Sequence, residues 1–446
     1  MTTLHNLGLC EAAAAIRDGA IKSSELVRAC LDRIASIDGG IGAFTALDPH
    51  YAMQQAEMAD RARASGNGIG PLHGVPIGVK DVIDTQDLPT ENGSPIFAGR
   101  RPTTDAFAVA ALRAAGAIIL GKTTSTELAL LTPSAVRNPV DREHSPGGSS
   151  AGSAAAVASH MLPAALGTQT AGSVLRPASY CGVHGFKPTF GLVSRRGVLM
   201  QSHTLDTLGV LTRSIADAAL LVDCMAAHDP DDDTGTPPTS RPRLADIAAS
   251  EPPLPPLFAF VKTPAWAGAD PRLHDAFAEL VDVLGPERVH EVELPFLADV
   301  IEWHRIVQLA ETAAYYGPLL DRFPGRLSTG LTERLELGAS VPVRQYIEAV
   351  QSRVEGYAAV RSILERYTAI LTPAAPGPAP KLDEGITGSP IFNGLWTYLG
   401  MPAVSLPLLE VDGLPVGVQL VGLRQDDGRL LRTARWLERH LQNLPA

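Results

Sequence analysis

The sequence predicts an α/β protein built on a large mixed, mostly parallel sheet covered by helices on both faces. Alanine-rich helical stretches alternate with short apolar runs, as in "DAFAVAALRAAGAIILGKT" and "SSAGSAAAVASHMLPAALGTQT", and this alternation belongs to parallel sheets with helices on their faces. Strand-like runs return late, in "TAILTPAAPGPAP" and "PAVSLPLLEVDGLPVGVQLVG". They are expected to rejoin the first sheet, so that residues 1–446 form one domain. Of the 446 residues, 45% are hydrophobic, enough for a large core.

From Ser23, "SSELVRACLDRI" places Leu26, Cys30 and Ile34 on one helical face behind serines able to cap it. Asp105 reads as the cap of the next helix, Gly116 as its stop, and "AIIL" as the strand that follows. Residues 228–257, rich in proline and aspartate, read as a surface linker or excursion. Residues 258–367 are mainly helical, notably "SVPVRQYIEAVQSRVEGYAAVRSILERY".

The formal net charge of −11 repels phosphate backbones and anionic lipid, which argues against nucleic acid and membrane as partners. The four cysteines stand far apart with no CxxC or Cys/His cluster, so neither a disulfide framework nor a metal site is expected. No apolar run approaches the length of a bilayer span and the N-terminus lacks a secretory pattern, which points to a cytoplasmic protein.

Two local motifs fail on context. Gly116, Gly121, Lys122 and Thr123 fit a phosphate-loop pattern, but an apolar strand replaces the loop. "GSSAG" fits a nucleophile elbow with Ser150 as nucleophile of a Ser-His-Asp hydrolase, yet polar "DREHSPG" stands where the elbow needs a strand. Lys80, inside the apolar run "GVPIGVKDVIDT", is either a buried base or a lysine snorkelling to solvent beside Asp81.

That stretch, "SPGGSSAGSAAAVAS" and "GTQTAGSVLRPASYCGVHGFKPT", in this order, resemble the amidase signature family. "LDTLGVLTRSIADAALL", "GSPIFNGLWTYLGMPAVSLPL" and "GLPVGVQLVG" extend the likeness through most of the chain. The resemblance implies hydrolysis of a small-molecule amide, or a related carbamate or ester, without metal or organic cofactor. By position it makes Lys80 the base, Ser149 a bridging serine behind a cis peptide, and Ser173 the nucleophile. Small residues before Ser173 let the N–H groups of Thr170, Ala171, Gly172 and Ser173 face a tetrahedral oxyanion.

Many relatives carry aspartate at the place of Gln169, glycine at that of Ala171, and an arginine two places after the nucleophile. Here Arg176 stands three places after. It either reads a substrate carboxylate or serves a structural carboxylate or turn. Asn393, Trp396 and Thr397 lie in a stretch that faces the site in the family, although Trp396 fits a core equally well. The helical region is expected to shape the substrate pocket. A free-standing amidase is the leading expectation; the amidase component of a glutamine-dependent amidotransferase is the alternative, and a homodimer is possible.

Overall fold

A computed structural model of the chain describes residues 3–66, 68–234 and 243–444. Its strands are β1 (Phe44–Leu47), β2 (Pro76–Lys80), β3 (Ile118–Thr123), β4 (Ala164–Gln169), β5 (His184–Lys187), β6 (Thr207–Thr212), β7 (Phe258–Phe260), β8 (Val289–Glu291), β9 (Ala369–Pro373), β10 (Ala403–Val411) and β11 (Leu414–Val421). They form one eleven-stranded sheet in the order β1-β3-β2-β4-β6-β5-β10-β11-β9-β7-β8, so the late strands do share the sheet of the early ones. Strands β2, β3 and β4 are buried along their whole length, which is why they read as apolar runs rather than alternating ones.

The α/β class stands, but the parallel character is narrower than the alternation implied. Parallel pairing is confined to β3-β2-β4 and β9-β7-β8. Every pair from β4 through β6, β5, β10 and β11 to β9 is antiparallel. The reason is local in part: β10 and β11 are joined by a turn at Asp412 and Gly413, with φ of 52° and 77°, a tight two-residue hairpin that forces antiparallel pairing.

The helix Ser23–Ile37 buries Leu26, Cys30 and Ile34 as expected, but its cap differs. Glu25 reaches back to Lys22 N at 2.8 Å, while Ser23 Oγ is spent on Gly74 O at 2.7 Å. Asp105 likewise lies just outside the helix Phe107–Ala114, where it accepts from Gln86 N at 2.9 Å and Arg113 Nε at 3.0 Å. The helix Val343–Leu364 fills most of the long helical stretch. Of residues 228–257, positions 235–242 lie outside the described residues. The described flanks are tied down: buried Asp229 accepts from Ser194 Oγ at 2.6 Å, and a short helix runs over Leu244–Ala249. Lys122 lies buried on β3 with Nζ on Ile83 O and Thr90 Oγ1, a strand lysine and not part of a phosphate loop. No helix among the described residues is long and apolar enough to cross a membrane.

Candidate active site

Parallel β2 and β4 pair Val79 with Leu166, so their carboxyl ends lie side by side, the usual place for a ligand site in an α/β sheet. Lys80 is the last residue of β2. Thr168 and Gln169 end β4, and Gln169 pairs with Thr207 at the start of β6, which brings Asp206 to the same edge. Ser149 and Ser150 stand just before the helix Ala151–Ala158, and Ser150 N donates to Ser173 O at 3.3 Å. Four segments distant in sequence thus converge.

Lys80 does not snorkel. It is fully buried, and its Nζ lies 2.7 Å from Ser149 Oγ and 2.8 Å from Thr168 Oγ1. Asp81 turns elsewhere, accepting from Glu91 N at 3.0 Å and Gly93 N at 3.1 Å. Burial drives the Lys80 ammonium well below the ordinary lysine value; Asp206 opposes this and Arg176 adds to it. The peptide bond from Gly148 to Ser149 is cis. Gly147, at φ 82°, lies so close to Pro177 that a Cβ would come within 2.9 Å of Pro177 Cα, so both the turn and the approach require glycine.

Ser173 is half-buried and lines a cavity of about 280 Å³. Its Oγ has no hydrogen-bond partner among the described residues, and no hydrogen bond joins it to Ser149 Oγ. The segment before it is held from behind. Thr170 Oγ1 lies 2.5 Å from Asp206 Oδ1 and 3.0 Å from Gln201 Oε1, His304 Nε2 meets Thr170 O at 3.1 Å, and Thr397 Oγ1 donates to Ala171 O at 2.8 Å. Gln169 caps the following turn: its Oε1 accepts from Val174 N at 2.9 Å and Leu175 N at 3.0 Å, and its Nε2 donates to Thr397 Oγ1 at 3.0 Å. The amide does what an aspartate could not, since a carboxylate has no donor for Thr397. The N–H groups of Ala171, Gly172 and Ser173 take no backbone or side-chain partner among the described residues. Gly172 packs closely, for a Cβ there would meet Asn393 Oδ1 at 2.4 Å and Pro390 Cβ at 2.9 Å.

Arg176 is 1% exposed and lines the same cavity. Its Nη2 donates to Gly148 O at 2.7 Å and Thr387 Oγ1 at 3.3 Å, while Nε and Nη1 have no partner among the described residues. Burial pushes its guanidinium down to about 10, and no carboxylate of the described residues sits against it. Of the structural reading, the carboxylate partner is absent among the described residues, while the turn is present: Nη2 holds the carbonyl of Gly148, which leads into the cis peptide.

Asn393, Trp396 and Thr397 are fully buried and do not line the cavity. Asn393 Nδ2 bonds Ala374 O at 3.0 Å, Trp396 sits in an apolar cluster with Leu175 and Leu395, and Thr397 braces the loop. They support the site from behind, because the helix Ile391–Tyr398 turns Ile391, Gly394 and Leu395 to the cavity instead. Ser150 is also buried, its Oγ on Thr168 O at 3.4 Å and Thr168 N at 3.3 Å. It has no histidine partner among the described residues.

Thr168, Asp206, His304 and Arg334 belong to the site without having stood out in the sequence. Asp206 is buried with no cation bonded to it among the described residues, and burial lifts its carboxyl to about 6. Burial lowers His304 to about 4, so its ring is neutral near pH 7. Arg334 lines the cavity with Nη2 on Gln308 Oε1 at 2.9 Å and Nε unpartnered among the described residues. Each meets its partner across a long stretch of sequence. Only Asp206 carried a signal, lying in the motif "LDTLGV".

The family model described as Amidase matches residues 25–431. The chain is 35% identical to the A subunit of the glutamyl-tRNA(Gln) amidotransferase of Chloroflexus aurantiacus, over 97% of this chain and 96% of that one. Among solved structures it is similar to a chain of a vestigial protein complex described as revealing the evolutionary origins of an s-triazine catabolic enzyme (TM-score 0.90, 28% identity, 97% and 98% of the two chains). It is also similar to a peptide amidase of Stenotrophomonas maltophilia (TM-score 0.83, 29% identity, 98% and 97%). The chain belongs to the amidase signature family and is an enzyme of C–N amide hydrolysis.

Proposed function

We propose that Ser173 is the nucleophile, Lys80 the base and Ser149 the relay between them. The observation that carries this reading is the fully buried Lys80 amine 2.7 Å from Ser149 Oγ, on the sheet edge that also holds Ser173. A neutral amine accepts the Ser149 proton while Ser149 takes that of Ser173, whose oxygen bonds to the amide carbon. The open Ser149–Ser173 link closes with substrate present, as catalytic hydrogen bonds in empty sites often do. The oxyanion meets the unpartnered N–H groups of the 171–173 loop, with Thr170 N–H as the fourth donor. The C–N bond breaks as the relay returns a proton to the amine, and water then cleaves the acyl ester by the reverse path.

Arg176 is read as the anchor for a carboxylate on the acyl side. Arg176→Gln is expected to lower kcat/KM for succinamate roughly 100-fold more than for uncharged butyramide, the scale of a lost charge-assisted hydrogen bond. Equal losses on both amides would remove it from substrate binding. The helical region from 258 to 367 shapes the pocket, contributing Ile301, His304, Gln308 and Arg334 to its wall.

Two settings fit this chemistry. The relatives named as an amidotransferase component favour a chain that takes glutamine's amide inside an assembly, ahead of a free-standing amidase. The likeness to a peptide amidase keeps the second reading in view. Gel filtration and turnover of the isolated chain separate them. Glutamine hydrolysis that needs added partner chains supports the assembly; carboxylated amides cleaved by a monomer or homodimer support the free enzyme.

A further inference from the structure

We propose that the substrate carries an apolar arm on its amide nitrogen, and that this arm occupies a second cavity opening off the one at Ser173. The inference rests on amide hydrolysis at Ser173 by a free-standing enzyme, since glutamine is a primary amide with no arm on its nitrogen. The second cavity, about 680 Å³, shares Leu130, Leu131, Arg334, Ser389 and Pro390 with the first, so the two adjoin. A short amide such as succinamate needs little beyond the cavity of about 280 Å³, whereas the added volume is of the size that takes drug-like ligands.

The chemistry of the walls names the occupant. Leu130, Leu131, Pro133, Leu331 and Ile386 face the second cavity between hydroxyl side chains, and Arg334, on the side shared with the first cavity, is the one charged residue among those described that line it. Leu130 and Leu331 are buried at 4% and 2% exposure in a cluster with Tyr316 and Leu335, which makes that wall rigid. Leu131 and Ile386 on this cavity stay 46% and 47% exposed, and Ile391 on the adjoining one 36%, apolar exposure of the kind that marks a ligand groove. Among the described residues no aspartate or glutamate lines either cavity, so an ammonium group would find no partner in them. The segment presenting Leu130 and Leu131 follows Leu128 and Ala129, both left-handed at φ 48° and 59°, a conformation that non-glycine residues keep where surroundings over-determine it. With the acyl half ending at Arg176, the amine half is the part left to enter this space.

The test is a series of N-alkyl succinamates from methyl to hexyl, with kcat/KM measured for the wild type, Leu131→Asp and Ile386→Asp. Both substituted positions are half-exposed, so the fold tolerates them. Each added methylene is expected to raise the wild-type value about fourfold, the worth of one buried methylene, and the hexyl-to-methyl ratio is expected to fall at least tenfold in each variant. The series is also bound calorimetrically to Ser173→Ala. A flat series in turnover and in binding overturns the second site, as does a slope that survives both variants. Graded binding without any wild-type turnover keeps the apolar site and overturns hydrolysis at Ser173 instead.

Discussion

Ser173→Ala is expected to lower kcat by about 10⁶-fold, the scale on which loss of the nucleophile acts in serine hydrolases, with little change in melting temperature. The two halves of this expectation have separate causes. In the proposed mechanism the hydroxyl bonds the acyl carbon, and it makes no hydrogen bond among the described residues, so its removal leaves no buried partner unsatisfied. Ser150→Ala should behave in the opposite way. Its buried hydroxyl is bonded to both backbone groups of Thr168, so the variant should lose about 1–3 kcal/mol of stability and keep its chemistry. An active Ser173→Ala beside an inactive Ser150→Ala would restore the nucleophile-elbow reading.

Lys80→Met is expected to cost about 10⁴-fold in kcat, the upper range for removing a general base, and to abolish the acidic limb of the rate profile. In the wild type that limb should fall well below the ordinary lysine pKa of about 10.4, because burial disfavours the ammonium. Activity should rise as the amine loses its proton. Stability gives an independent check with the sign fixed by linkage. Between the depressed folded value and the ordinary unfolded one, the unfolded chain binds more protons, so wild-type stability rises with pH through that window. Lys80→Met lacks this contribution. Chemical denaturation at about pH 7 and about pH 9.5, both below the ordinary lysine value, should therefore show the wild type gaining on the variant at the higher pH. A difference that does not move with pH would mean that Lys80 titrates as an exposed lysine does.

The short motifs around Lys80, Ser149 and Ser173 were legible because each packs its chemistry into a few adjacent residues, and the glycines at 147 and 172 announced a tight approach that the fold contains. What supports them was not. Thr168 meets Lys80 across 88 positions and His304 meets Thr170 across 134, contacts that no local pattern encodes. Arg334 sits in "LTERLELG", which reads as an ordinary solvated helix until tertiary packing turns one arginine inward. Asn393, Trp396 and Thr397 lie on the helix that borders the cavity but pack behind the loop, with Trp396 in the core that its sequence equally allowed, because sequence locates a helix more readily than it orients it. The sheet's antiparallel middle was hidden for a related reason: alternation of helix and strand fixes the layers and leaves the strand order open.

Reaction of the active enzyme with a fluorophosphonate, followed by mass spectrometry of the digested chain, bears most directly on the chemistry at position 173. A single stoichiometric phosphonyl adduct on the peptide holding Ser173, formed far more slowly in Lys80→Met, is the expected result. Stoichiometric inactivation with the adduct on Ser150 or any other residue would contradict it.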